Sequence, residues 1–365
     1  MHHVAVRILH PPTREDAGEL TRFVGRARSI AAEDLERRFR AAGAEDAGIV
    51  TSHEDGRSFG ERLRGVVAGL EPDAGLVVLG SGSIPLASEG DLRALVDVAR
   101  SSEARALTNN RYSSDVVAVG QATILASVPD LPADNLLPRW LTTIAGVAVD
   151  ELPDRARLAM DIDSPLDLEL LRRDHSCPSP LLELAGSMAH RLTRVADAFD
   201  ALAALARDPS RELLVAGRLS AATLRTLETG TACRIRALIE ERGLRASALL
   251  QDEGSRRQRP PASMLGLLLD RDGPASIGAL VHGLADGAAI DTRVLLAHRH
   301  GPDEAAWPSP EDRYASDLLL ADRIRDPWLQ QLTLHARSHA IPIALGGHSL
   351  VGPGLRLALA VGLDR

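Results

Sequence analysis

The chain has no lysine; all 42 of its basic residues are arginine. A Schiff-base enzyme, a pyridoxal-phosphate enzyme and a Walker-type phosphate loop each need an amine, so those mechanisms are excluded. Phe, Tyr and Trp together number nine, which leaves few platforms on which bases could stack. A net charge of −8 with a pI near 5.9 gives no general attraction to polyphosphate backbones or anionic lipid. Nucleic acid and membranes are therefore not expected partners. Cys177 and Cys233 are the only cysteines, so neither a disulfide framework nor a thiolate zinc site is available. No apolar run reaches the ~18 residues of a membrane span. The start, Met-His-His-Val-Ala-Val, lacks a basic patch followed by a long apolar core. A cytoplasmic location is expected.

What is present is a layered α/β pattern. A chain of 365 residues with 45% hydrophobic content exceeds the ~250 residues at which a single core stops growing, so two domains are expected. Short apolar runs alternate with helix-period stretches through the first 170 residues. Strands are predicted over 4–9, 75–79, 114–119 and 146–149, and helices over 31–42, 58–70 and 88–100. Ser88, three residues ahead of Asp91, is a good cap. Pro165 is expected to open a helix through 171, with Ser164 as its cap.

A break at His175-Ser-Cys-Pro-Ser-Pro180 precedes one long amphipathic stripe, Leu181, Leu184, Met188, Leu192, Val195, Phe199 and Leu202. It reads as a linking helix. The predicted organisation is thus 1–174, a first α/β domain; 175–209, the linker; and 210–365, a second α/β domain. In the latter, strands are expected over 213–216, 233–239, 292–297 and 341–345. Helices are expected over 220–228, 263–269, 277–284, 316–324, 328–339 and 353–361, and a polar loop over 252–262.

Two strings carry most of the chemistry. Gly80-Ser-Gly-Ser-Ile-Pro-Leu86 follows the apolar run 76–79, so it lies at a strand's carboxyl end, where open α/β sheets place ligands. Its glycines let backbone approach a phosphate or ribose. In Met160-Asp-Ile-Asp-Ser-Pro-Leu-Asp-Leu168, a strand would turn Asp161 and Asp163 to one face, able to hold one cation together. The alternative is that Asp163 and Ser164 cap the next helix. Between the strings lies the polar cluster Thr108, Asn109, Asn110, Arg111, Tyr112, Ser113, Ser114 and Asp115. Arg111 can fork onto a phosphate and the two amides can read a base or sugar, or the segment is a plain Asn/Ser turn.

Residues 50–172 resemble the MobA-like nucleotidyltransferases, which include molybdenum-cofactor guanylyltransferase and phospholactate guanylyltransferase. The first string is similar to their Gly-Asp-x-Pro-Leu motif and the second to their Asp-x-Asp-Thr-Pro-x-Asp-Leu element. The Thr108-Asn109 pair resembles their substrate loop, and Ser58-Phe-Gly-Glu-Arg-Leu63 a Leu-Gly-Glu-Arg-like helix start. The resemblance implies a glycosyltransferase-A-like (Rossmann-like) three-layer domain, with Gly80, Gly82, Ser83, Thr108, Asn109, Asn110 and Asp115 against the substrate. It further implies magnesium on Asp161 and Asp163, with Arg111 on the phosphates. Two departures stand out. The metal-binding aspartate of the first motif is Ser83, a neutral hydroxyl and a poorer ligand for a hard cation. The opening phosphate-cradling loop is replaced by His10-Pro-Pro-Thr-Arg14.

In the second half, Gly347, His348 and Ser349 follow an apolar strand in Ile341-Pro-Ile-Ala-Leu-Gly-Gly-His-Ser, as a candidate binding loop or a structural turn. His298 and His300 are expected to end a strand, and His335 and His339 to lie i,i+4 on a helix, both workable metal spacings. The pentapeptides Arg-Tyr-x-Ser-Asp at 111–115 and 313–317 raise the question of a duplicated domain. The leading expectation is a nucleotidyltransferase acting on a nucleoside triphosphate and a small phosphorylated acceptor. The alternatives are a non-catalytic nucleotide or sugar-phosphate binder, and a metal-dependent hydrolase centred on the second-half histidines.

Overall fold

The computed structural model describes residues 3–51, 56–153, 155–242 and 259–361. It is an α/β protein with two sheets. The described residues fall into two compact units, one within Met1–Ala17 and Gly25–Ile162, the other within Gly18–Val24 and Asp163–Arg365. The division runs inside the 161–168 string, and it places the expected linking helix within the second unit.

The first unit has a six-stranded sheet. Its strands are β1 (Val4–His10), β2 (Asp46–Thr51), β3 (Gly75–Gly80), β4 (Arg105–Thr108), β5 (Val116–Val119) and β6 (Ala148–Glu151), in the order β2-β1-β3-β5-β4-β6. β1 runs parallel to β2 and β3, whereas β5 runs antiparallel to both β3 and β4. Alternation along the strands feeds two cores. Val4, Val6, Ile8, Val77 and Leu79 pack with Leu35, Phe39 and Leu92. Ala5, Leu76 and Val78 face the other way, with Leu63, Val67 and Trp140. Helices therefore cover both faces, which is why β3 reads as an unbroken apolar run.

The helix starts follow local chemistry. Ser58 and Glu61 form a capping box at the head of Phe59–Ala68, and Ser88 and Asp91 do the same for Glu89–Ala99. The first helix is longer than its apolar period suggested, Glu19–Ala41. β2 and β4 were not anticipated: β2 is half-exposed and β4 has four residues, so neither carries a strong apolar signal.

The second unit has a four-stranded parallel sheet, β7 (Glu212–Gly217), β8 (Arg234–Ile239), β9 (Gly287–Asp291) and β10 (Ile343–Gly346), in the order β10-β9-β7-β8. The stripe 181–202 is intact but is carried by two helices, Ser179–Ser187 and Ala189–Ala206. The break follows Gly186 and Ser187. The Ser187 hydroxyl bonds the Leu184 carbonyl, and the Met188 N–H reaches only to Ala185, tightening the turn.

Three expectations are corrected here. Residues 292–297 are not a strand but the start of the helix Thr292–His300, because Asp291 caps it by accepting from the Arg293 N–H. The strand is β9, whose Gly-Ala-Ala-Ile-Asp sequence has little intrinsic strand preference and is held by burial at the sheet centre. The helix expected over 316–324 is Pro310–Asp317, started by Ser309 and stopped before Leu319, which takes φ 57. The final helix breaks into His348–Val351 and Leu355–Ala358. The polar loop falls largely on 252–258, outside the described residues. No helix among the described residues is long and apolar enough to cross a membrane.

The two Arg-Tyr-x-Ser-Asp strings adopt different structures. The first lies in the β4–β5 connection and the second in the helix Pro310–Asp317. With a mixed six-stranded sheet in one unit and a parallel four-stranded sheet in the other, the strings do not mark a repeat.

Candidate functional site

Because β5 is reversed, its first residues lie at the same edge as the carboxyl ends of β1, β3 and β4. Leu79 pairs with Val116, and Thr108 with Val117. A cavity of about 270 Å³ opens at this edge. Its apolar wall includes Leu9, Phe59 and Leu137, and its polar groups come from Arg62, Gly80, Ser114, Asp115 and Asp134.

The first string forms the floor beside it. Gly80 ends β3, and the chain turns at Ser83, whose N–H donates to the Gly80 carbonyl at 3.1 Å. Ile84 follows at φ 45, a conformation that disfavours β-branched residues. Its side chain is wholly buried in the first core, and that packing holds the turn. The Ser83 hydroxyl, on a residue 3% exposed, makes no hydrogen bond to a described residue. Beside it, Ser81 Oγ lies 3.0 Å from His10 Nδ1. Burial, and then the Arg28 charge, hold the His10 pKa below its ordinary value, which favours a neutral ring.

The second string meets the first at one point. Ser83 and Asp161 form an isolated antiparallel bridge, and the Ile162 N–H donates to the Gly82 carbonyl at 3.0 Å. A Cβ on Gly82 would stand 2.8 Å from Asp161 Oδ1, so glycine is required for this approach. The two strings read from sequence are thus neighbours. The strand expected through 161–163 is absent, however, and only the single bridge at Asp161 remains. Alternation along a strand therefore does not bring Asp161 and Asp163 to one face. Asp161 Oδ1 accepts from the Ile162 N–H at 2.8 Å, while Asp163 falls in the second unit.

In that unit Asp167, not Asp163, supplies the capping carboxylate. It accepts from the N–H groups of Asp163 and Ser164 at 2.8 and 2.7 Å, completing the capping box with Ser164. Burial, and then the Asp163 charge, push the Asp167 pKa up to about 7. Among the described residues no group of three or more His, Cys, Asp or Glu is placed to hold a metal ion. A magnesium ion on Asp161 would therefore have to complete its shell with waters and substrate phosphates.

The polar cluster is mostly a self-contained clip. Asn109, 1% exposed, donates from Nδ2 to Asp115 Oδ2 at 2.8 Å and to the Leu158 carbonyl at 3.0 Å. Its Oδ1 accepts from the Asp115 N–H. Thr108 is buried and donates to the Val116 carbonyl. Asn110 accepts from the Tyr112 N–H in a turn. Arg111 is half-exposed and leans on Glu151, at 3.7 Å. Of the cluster, Ser114 and Asp115 line the cavity.

In the second unit Gly347 follows β10, His348 is exposed and Ser349 is buried. His298 and His300 lie on a helix rather than at a strand end. His298 accepts from the Ser263 N–H through Nδ1 and faces Asp270 through Nε2 at 3.1 Å, a structural engagement. His335 is exposed near the end of Pro327–Ser338, and the His339 ring packs edge-on against His282.

Sequence reasoning missed Arg62, Asp134 and, in the second unit, Arg218, Asp291, Arg293 and Asp317. Arg62 lies in the Ser58–Leu63 string, which was read as a helix start only, and Asp134 sits outside any motif; the topology brings both to the cavity. Gly217-Arg218, at the end of an expected strand, was a legible signal, whereas Asp291-Thr-Arg293 was hidden because the expected strand was placed at 292–297. No protein-family model matches the chain, and no curated protein matches it.

Proposed function

We propose that the first unit is a divergent nucleotidyltransferase-like domain used for recognition. It binds the nucleoside part of a nucleotide, or the sugar of a sugar phosphate, without a divalent ion. The observation that carries this reading is the cavity at the carboxyl edge of β1 and β3. At about 270 Å³ it is near the lower limit of small-molecule pockets, ~300 Å³. It matches a nucleoside better than a dinucleotide. Its charged groups are one guanidinium and two carboxylates, Arg62 against Asp115 and Asp134, a set that accepts hydroxyl and amine hydrogens better than it neutralises a triphosphate. The Ser114 hydroxyl supplies one further neutral group in the lining.

Calorimetry of the intact protein with nucleosides and nucleoside triphosphates, with and without magnesium, tests this. Equal affinity with and without the ion is expected, together with weakening of about tenfold in Asp134→Ala, the loss of one charge-assisted bond. Absence of binding, or binding indifferent to Asp134→Ala and Arg62→Gln, would overturn it. A second reading, nucleotidyl transfer to a small phosphorylated acceptor with Arg111 on the phosphates, is favoured by the Ser83–Asp161 bridge, which joins the two motif strings. Magnesium-dependent release of pyrophosphate would select it.

A further inference from the structure

The second sheet has a place built for a ligand that the first reading does not use. In the order β10-β9-β7-β8, the chain leaves β7 toward β8 and leaves β9 toward β10, in opposite directions across the sheet. With right-handed crossovers these connections go to opposite faces, which makes the carboxyl ends of β7 and β9 the switch point where open α/β sheets place ligands. Gly217, at φ 128, ends β7, and a Cβ there would lie 2.3 Å from the Asp291 Cβ. The close approach lets Arg218, the next residue, fold onto the Asp291 carboxylate. Its Nε and Nη2 lie 2.6 and 3.1 Å from Asp291 Oδ2 and Oδ1.

Asp291 and Asp317 are fully buried, and each holds an arginine in a fork. Arg293 sits on Asp317 through both terminal nitrogens and also reaches Thr292 Oγ1. Thr292 Oγ1 in turn donates to the Gly346 carbonyl, tying β9 to β10. The two carboxylates fix the orientation of the guanidinium groups. Arg218, its side chain 13% exposed, makes no other bond to a described residue, so the end-on pair formed by Nη1 and the second Nη2 hydrogen is unspent.

The loop after β10 faces the same place. The short segment His348–Val351 packs against β9 and β7. A Cβ on Gly347 would be 3.5 Å from Arg293 Nε. Burial raises the Asp291 pKa, but Arg218, then His348, then Arg293 bring it below its ordinary value. Ser349 is 6% exposed, and its hydroxyl makes no hydrogen bond to a described residue. The two strand ends thus carry a preoriented guanidinium edge after β7, and an imidazole and a hydroxyl in the loop after β10.

We propose that the second unit binds a phosphate group, as the free ion or the monoester of a small metabolite, between Arg218, His348 and Ser349 at the carboxyl ends of β7, β9 and β10. A carboxylate would be satisfied by one fork. Donors arriving from separate directions instead suit the several terminal oxygens of a tetrahedral group.

The test titrates inorganic phosphate into the full chain and follows the phosphorus resonance, with acetate as the carboxylate probe. Protein-dependent broadening is expected, weakened about tenfold in His348→Ala and in Ser349→Ala, the effect of one charge-assisted bond. Both substitutions leave the buried ion pairs intact. Broadening should persist in Arg62→Gln, which separates this site from the cavity of the first unit. Four outcomes would overturn the proposal: no broadening in the unmodified protein, broadening indifferent to both loop substitutions, broadening lost in Arg62→Gln, or displacement of phosphate by an equal concentration of acetate.

Discussion

At the carboxyl edge of the first sheet the buried polar groups are almost all neutral: Ser81, Ser83, Thr108 and Asn109. At the same edge of the second sheet Thr292 and Ser349 are joined by ions, Asp291 with Arg218 and Asp317 with Arg293. A neutral group is satisfied by one or two local hydrogen bonds and leaves room beside it, as the first cavity shows. A buried charge must be matched by another charge at close range. The matched pairs take up the space between strand ends and present only the outer edge of a guanidinium. One edge thus offers volume, the other directed donors.

The largest expected effect tests that contrast in stability. Asp317→Ala strips Arg293 of its partner, and urea denaturation should register a loss of about 3–5 kcal/mol for the second unit. Thr108→Val, at the matching edge of the first sheet, removes one neutral bond and should cost about 1 kcal/mol. Equal losses would break the comparison.

Asp167 examines the rule from the other side, because it is a buried carboxylate held by backbone N–H groups and raised to about 7. Since the folded pKa lies above the unfolded one, its contribution to stability is full below about pH 4, falls as pH rises to about 7, and is constant above that. Asp167→Asn removes this dependence. The variant should gain on the unmodified protein by up to about 4 kcal/mol between those limits. A gain independent of pH would show that Asp167 titrates like an ordinary aspartate.

Smaller effects separate the two glycine contacts. Gly217→Ala forces a Cβ against the Asp291 Cβ at a positive φ, and should cost about 2–3 kcal/mol in thermal or urea unfolding. Gly82→Ala meets Asp161 Oδ1 at 2.8 Å, an atom with more freedom to give, and should cost about 1–2 kcal/mol. The reverse order would mean that the Ser83–Asp161 bridge is the stiffer of the two. The smallest effect is expected from Ser83→Asp, which places a second carboxylate beside Asp161. Magnesium should raise the melting temperature of this variant, by about 1 kcal/mol of linkage at an ion concentration a few times its dissociation constant, and leave the unmodified protein unchanged. A rise in both would point to an ion site elsewhere.

Much of the scaffold could be read from residue order. The strands β1, β3, β7 and β10 announced themselves as apolar runs, and the helices after Ser88 and Ser164 by their caps, because these signals are local. β9 was misplaced because its small residues owe their conformation to neighbours on both sides, which no window along the chain contains. For a related reason the sequence left the Asn109 segment open between a ligand-reading loop and a plain turn. A polar cluster looks the same in sequence whether its groups face a ligand or, as with Asp115 and Leu158, one another.

The sequence by itself determined what chemistry is absent, the layered α/β alternation, and the two strings that bridge at Ser83 and Asp161. Those follow from composition and from periodicities shorter than a helix or strand. Only the tertiary structure decided that Asp161 and Asp163 do not share a strand face, that a cavity opens beside Gly80, and that four charges scattered from 218 to 317 pair at one sheet edge. Those depend on strand order and direction, which are fixed by packing between segments far apart in the chain.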